Sequence, residues 1–381
     1  MAHTFSSAMI EIAELSLREI SLQLREPFHI SSGSTDVRRV VLVRLEDRDG
    51  VEGWGECVAG ETPHYSSETV DTAWLAIRDW VAPRVVGIPL SRPEECHERL
   101  DAAIRGHRMA RAAAEMAVWD LAARRESVAL SVLLGGVRDR VATGISLGLQ
   151  PDPATLVRKA ILARDAGYRR IKLKIAPDRD ISFVSAVREA LGESVPLSVD
   201  ANAAYSLADI DRLKALDGLD LTMLEQPFDG DDLVRHAALQ RVLRTPICLD
   251  ESITSTARLE DMVTLDAGRI VNLKPGRVGG LTEARTIHDH AGRHRIPVWC
   301  GGMLETGVGR AHNVALASLP QFELPGDLSP SARYWVRDIV TPPWTMEDGT
   351  LRVPREHSGI GVDIDHDYVD DLTTRAETIG G

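Results

Sequence analysis

From about Val141 to Asp327 the chain repeats one unit, a short apolar run followed by an amphipathic stretch. Eight runs read as strands: "VATGISLG", "RRIKLKI", "VPLSVDAN", "LTMLEQP", "TPICLDES", "RIVNLKPG", "IPVWCGG" and "QFELPGD". Seven helical stretches lie between them, from "PATLVRKAILARDAG" to "GRAHNVALASLP", and several close on Gly as helix C-termini do. Such alternation builds a parallel sheet covered by helices, because parallel strands can only be joined by a crossover. A barrel and an open doubly wound sheet both satisfy the pattern, and the even spacing of eight strands favours the barrel.

The flanks differ. From Ile10 to Val51 residues alternate apolar and polar, with Asp49-Gly50 as a hairpin turn between strand-like runs. The polar stretch "REPFHISSGSTD" reads as a loop, and residues 1–8 as a loose start. After "WGECVAGETPHYSSE" come three helical runs, "TVDTAWLAIRDWVAPRVV", "RPEECHERLDAAIRG" and "RMARAAAEMAVWDLAARRES". This first part is an α+β unit. The repeat stops at Ser329, and the remainder is expected to pack back on the first unit.

The 381 residues suffice for one large domain and a smaller one, and 44% hydrophobic with 27% charged residues is ordinary globular composition. A net charge of −13 argues against a nucleic-acid or anionic-membrane partner, which needs a basic face. Cys57, Cys96, Cys248 and Cys300 form no CxxC pair and fit no zinc spacing, so buried thiols in a reducing, cytoplasmic setting are expected. The N-terminus lacks a signal-peptide pattern, and no run approaches the ~18 apolar residues of a membrane span.

Charged residues arrive at the strand ends of the repeat. Strand two ends with Lys172 and Lys174, and alternation points both from one face. The next four strands end with Asp200, Glu225, Asp250 and Lys274, at steps of 26, 25, 25 and 24 residues from Lys174 onward. An acid after a strand is often only the cap of the following helix. Five charged positions in succession, each at the same phase of its unit, are poorly explained that way. In a parallel barrel these ends form the active-site mouth.

Three carboxylates crowded at one mouth repel and raise each other's pKa. A divalent cation relieves this, and an oxygen-only set suits Mg²⁺ or Mn²⁺ better than zinc. Lys174 and Lys274 would flank it. A cation holding a substrate carboxylate stabilises the enediolate formed when the adjacent carbon loses its proton. A lysine base must be neutral, and the charge of Lys172 beside Lys174 is expected to favour that.

The motifs "KLK", "DAN", "EQP", "DES" and "KPGRVGG", with "GWGEC" in the first unit, resemble those of the enolase superfamily, muconate-lactonizing-enzyme subgroup, along nearly the whole chain. The resemblance implies an α/β fold, a modified TIM barrel (β/α)7β with an N-terminal α+β capping domain. The capping domain would take residues 1–135, completed by 335–381, and the barrel residues 136–334. "GHRMARAAAEMAVWDL", "GISLG", "PVWCGGMLETGVGRAHNVALASLP" and "LPGDLSPSARYW" are similar to the o-succinylbenzoate synthase and N-succinylamino acid racemase group. That likeness implies Asp200, Glu225 and Asp250 as Mg²⁺ ligands, Lys174 and Lys274 as acid/base lysines, and Ser146 and Lys172 near the substrate carboxylate. Asn202 and Glu251 would support the metal shell. Arg277 resembles the arginine that racemising members carry beside the second lysine. Phe28 and Tyr65 would close over the mouth, with Met303 and Leu304 against an acyl chain. A small-molecule carboxylate substrate and a homo-oligomer are implied.

The same lysine pair serves dipeptide epimerases, which carry Asp-x-Asp at strand eight to hold the substrate ammonium; here the run is Asp327-Leu328-Ser329. Muconate cycloisomerase is disfavoured by the "GGMLETG" and "GDLSPS" contexts. A sugar-acid dehydratase would normally want a His–Asp pair in place of Lys274. A non-catalytic ligand-binding barrel is opposed by the intact lysines.

Overall fold

The computed structural model describes residues 9–380. The expectation for residues 1–8 falls outside them. The N-terminal unit is built on a four-stranded sheet. β1 (Ile12–Ile30) and β2 (Gly33–Asp47) pair antiparallel along almost their full length, and β3 (Glu52–Cys57) lies beside β2. The β2–β3 turn uses Gly50 at φ 78°, and Asp47 Oδ1 accepts from the amides of Asp49 and Val51.

Residues 25–36 correct the sequence reading. They form no loop but carry the two strands on into an arm, with Phe28 opposite Thr35 and Ile30 opposite Gly33 past an irregularity after Gln23. The arm takes its order from the second domain. Ser31 Oγ donates to the carbonyl of Ala201 at 3.2 Å, and the Leu149 amide donates to the carbonyl of His29 at 2.9 Å. Polar composition predicts a loop; hydrogen bonds supplied from elsewhere in the fold override it.

Three helices follow, α1 (Val70–Ala76), α2 (Glu94–Ala103) and α3 (Arg108–Arg125). α3 is buried on every side from Met109 to Ala123, which its alanines permit. It lies directly on the backbone of β3. A Cβ on Gly53 would stand 2.3 Å from the Ala117 carbonyl oxygen, and one on Gly55 2.0 Å from that of Ala113. The glycines of "GWGEC" are therefore a packing requirement.

The second unit is a seven-stranded parallel sheet in chain order. Its strands are β4 (Gly144–Leu147), β5 (Arg170–Lys174), β6 (Leu197–Asp200), β7 (Leu224–Glu225), β8 (Ile247–Leu249), β9 (Ile270–Leu273) and β10 (Val298–Cys300). The seven expected crossover helices are all present: α4 (Pro153–Asp165), α5 (Ile181–Leu191), α6 (Ile210–Ala215), α7 (Leu233–Gln240), α8 (Thr256–Leu265), α9 (Leu281–Arg293) and α10 (Gly307–Ala317). The eighth run is reduced to bridges that close the barrel: Phe322 to Val298 on one edge and Gly326 to Thr143 on the other. Near the C-terminus α11 (His366–Leu372) leads into β11 (Thr373–Gly380), which pairs antiparallel with β1.

Buried carboxylates from the N-terminal unit join the two parts. Glu56 accepts from the Thr306 amide and hydroxyl and the Gly309 amide, at the start of α10. Glu115 of α3 accepts from the Leu281 and Thr282 amides at the start of α9. Both meet unsatisfied N–H groups and the positive helix end.

Candidate active site

β5 lies between β4 and β6, so its lysines are not on an edge. Ile171 and Leu173 point into the apolar layer and are fully buried, while Arg170, Lys172 and Lys174 share the other face. The bare repulsion expected between Lys172 and Lys174 is answered by a shared counterion. Asp200 Oδ2 accepts from Lys174 Nζ at 2.6 Å and stands 3.1 Å from Lys172 Nζ. Lys172 also donates to Glu225 Oε2 at 2.9 Å and stands 2.8 Å from Asp327 Oδ2. Lys174 reaches Asn202 Oδ1 at 2.6 Å.

Across the barrel a second group gathers on Asp250. Lys274 Nζ donates to Oδ2 at 2.7 Å, Arg277 Nη1 donates to Oδ1, and the Tyr65 hydroxyl donates to Oδ1 at 2.8 Å. Tyr65 arrives from the N-terminal unit, and its ring centroid is 4.5 Å from Lys274 Nζ. Arg277 is further fixed by the carbonyls of Ile253 and Asn272, at 2.8 and 2.6 Å. Asn202 donates to Glu251 Oε1 at 3.2 Å.

Three residues that the strand-end pattern passed over belong here. Asn272 is buried in β9 two residues before Lys274 and donates to Glu225 Oε1 at 2.8 Å. Its polar side chain inside an apolar strand was the readable clue. Gln226, at φ 36°, accepts the Asp250 and Ser252 amides on Oε1 and so ties the ends of β7 and β8 together. Asn202, already named through the resemblance, has φ 43°, and strained non-glycine backbone of this kind persists where surrounding structure over-determines it. Asp327 neutralises Lys172, although the sequence singled it out only for a missing neighbour.

The electrostatics follow from crowding. Burial raises Glu225, and the like charge of Asp200 raises it further. Glu251 is raised by burial and then by Asp250. Burial also opposes ionisation of Asp200 and Asp250, but Lys174 and Lys172 hold the first below the usual carboxylate range, and Lys274 and Arg277 hold the second there. Burial disfavours the charge on Lys274, yet Asp250 and Tyr65 outweigh it and lift the amine above the ordinary lysine range.

Above this floor lies a cavity of about 440 Å³, the size of a small-molecule site. Lys174, Asn202 and Lys274 line it from the barrel, Phe28 and Tyr65 from the N-terminal unit, and Met303 and Leu304 from the segment after β10. Asp200, Glu225, Asp250, Lys172 and Arg277 lie beneath, outside its lining. Ser146 is buried beside Lys172 in the β4–β5 register, its hydroxyl without a partner.

Among the described residues, no group of three or more His, Cys, Asp or Glu side chains is arranged to hold a metal ion, and cationic side chains stand on the acids. The donor chemistry nonetheless fits a hard divalent cation. Asp200 and Glu225 are register partners at neighbouring strand ends, Asp250 follows the next strand, and buried Glu251 Oε2 and Asn272 Oδ1 have no partner.

Residues 12–135 match the N-terminal domain of mandelate racemase / muconate lactonizing enzyme, and residues 155–368 match the enolase C-terminal domain-like family. The chain belongs to the enolase superfamily. Within that superfamily it is 48% identical to o-succinylbenzoate synthase of Geobacillus stearothermophilus, with 97% of each chain covered. It is 45% identical to N-succinylamino acid racemase of an Amycolatopsis species, over 97% of this chain and 100% of that one. A solved superfamily member from Listeria innocua superposes with a TM-score of 0.94 at 41% identity, covering 97% of this chain and 99% of the other. The expected fold, a capping unit on a curled parallel barrel, is that of these neighbours.

Proposed function

We propose that this enzyme removes the α-proton of a small carboxylate through an enediolate, acting as o-succinylbenzoate synthase, N-succinylamino acid racemase, or both. The observation that carries the reading is the meeting of Lys174 and Lys274 at one cavity, each on an acid at its floor. Asp200, Glu225 and Asp250 would hold Mg²⁺ or Mn²⁺. Bound there, the cation supplies positive charge opposite the oxygens of the enediolate. Lys174 Nζ and Lys274 Nζ do the proton work. For a racemase, one neutral amine takes the α-proton and the opposite ammonium returns one to the other face. For the synthase, Lys174 Nζ takes the proton of the cyclohexadiene carboxylate, the C–O bond breaks, and the hydroxyl leaves as water with that proton. Lys274 stays an ammonium beside the ring.

Arg277, fully enclosed and bound to Asp250 and Tyr65, favours including the racemase activity, since it stands where racemising relatives are expected to carry arginine. Asp327 speaks against a dipeptide epimerase: its oxygens are already taken by Arg170 and Lys172, and Ser329 supplies no second acid for a substrate ammonium. Tyr65 and Phe28 line the cavity from the capping unit, where they would close over the mouth and exclude water. A cytoplasmic protein, with its four free cysteines buried, and a homo-oligomer measurable by light scattering complete the reading.

The test is proton exchange in deuterated water with Mg²⁺. Each enantiomer of N-succinyl-phenylalanine is expected to exchange its α-proton, and chelation to stop it. Exchange of neither enantiomer, with o-succinylbenzoate formed from its precursor, leaves the synthase alone; full activity in chelator contradicts the cation.

A further inference from the structure

Arg170 lies below Lys172 on the same strand face, and both are buried. Both also lie over one ring, that of Trp299: the guanidinium carbon of Arg170 is 3.9 Å from its centroid and Lys172 Nζ is 4.7 Å from it. Two cations this close in a dry interior repel each other. One carboxylate separates them. Asp327 Oδ1 accepts from Arg170 Nη2 at 3.2 Å, and Oδ2 stands 2.8 Å from Lys172 Nζ.

Asp327 is itself held at the barrel seam. Its amide donates to the Cys300 carbonyl at 2.9 Å, and its carbonyl accepts from Arg310 Nη1 at 2.9 Å. The ammonium of Lys172 stands within 3.1 Å of three acids, Asp327, Glu225 and Asp200. Two of these belong to the proposed cation site. Asp327 does not.

We infer that Asp327 is a positioning residue: it tethers Lys172 through a carboxylate outside the cation-binding set, so that the ammonium keeps its place when Asp200 and Glu225 turn to the cation. The inference rests on the reading of those acids given above. Without the tether, Lys172 would have only Asp200 and Glu225 to neutralise it and would compete with the divalent cation for their oxygens. Arg170, stacked on Trp299, holds Asp327 from the other side.

Mn²⁺ binding to the full-length, metal-stripped protein, followed by electron paramagnetic resonance, tests this without substrate. Asp327→Asn is expected to weaken Mn²⁺ binding about tenfold in the native background, but less than about threefold when Lys172 is already Met, the non-additivity of two residues acting through one contact. Equal fold losses in both backgrounds overturn the inference. A magnesium-loaded crystal of the unaltered protein serves if a variant fails to fold: Lys172 Nζ should remain within hydrogen-bond distance of Asp327, and a lysine that has left it overturns the tether. A native protein that binds no Mn²⁺ ends the underlying reading, and the tether with it, before any substitution is made.

Discussion

Lys174 and Lys274 approach one cavity from β5 and from the end of β9, on opposite sides of the barrel. If each serves one face of the substrate, Lys174→Ala should abolish α-proton exchange for one enantiomer and Lys274→Ala for the other. Each should lower turnover by about 10²–10⁴-fold, the usual contribution of a positioned acid or base, and paired exchange measurements on the two enantiomers check it. Exchange of both enantiomers in either variant would show that the lysines do not divide the faces. The strand-end acids and lysines were legible in the sequence because each ends an apolar strand at the same phase. Their pairing was not. Tyr65 and Arg277 meet on Asp250 from 212 residues apart, a contact set by how the capping unit sits on the barrel. The resemblance puts Lys172 near a substrate carboxylate, whereas its three acid partners depend on barrel curvature that no local pattern encodes.

Among the elements, the capping sheet, its helices and the seven crossovers follow from periodicity. The arm of β1 and β2 does not, since its order comes from carbonyls and amides of the barrel. The approach of α3 to β3 makes a sharp prediction. Gly55→Ala would drive a methyl group into the Ala113 carbonyl, and the resulting overpacking should cost about 1–3 kcal/mol, read as a lowered midpoint in denaturant. His312 of α10 makes another. Nε2 bonds the Trp54 carbonyl at 2.8 Å, Nδ1 has no partner, and burial holds the ring below its ordinary pKa of 6.5. A proton on Nδ1 would be a buried donor without an acceptor. The unfolded chain binds that proton more readily, so this contribution to stability is complete above pH 6.5 and lost as pH falls below it. The gap in melting temperature between the native protein and His312→Gln should therefore narrow from about pH 8 to about pH 5.5. A gap constant with pH would mean that the ring stays neutral in both states or is charged in both.

Across the whole molecule, a chain of net charge −13 gathers Arg170, Lys172, Lys174, Lys274 and Arg277 around its acids at the barrel floor, beneath a cavity roofed by the capping unit. That inward balance is what a divalent cation and an anionic substrate would enter together. Ligand binding only to the folded state stabilises it, so Mg²⁺ at about a hundred times its dissociation constant should add about 2.7 kcal/mol against denaturant. On this mechanism the three acids turn to one cation, leaving Lys174 and Lys274 free on either side of the substrate. A crystal grown with magnesium and an N-succinylamino acid tests it directly. One ion is expected with oxygens of Asp200, Glu225 and Asp250 at about 2.1 Å, and Lys174 Nζ and Lys274 Nζ facing the α-carbon from opposite sides. Lysines still seated on Asp200 and Asp250, with no common ion among the three acids, would contradict it.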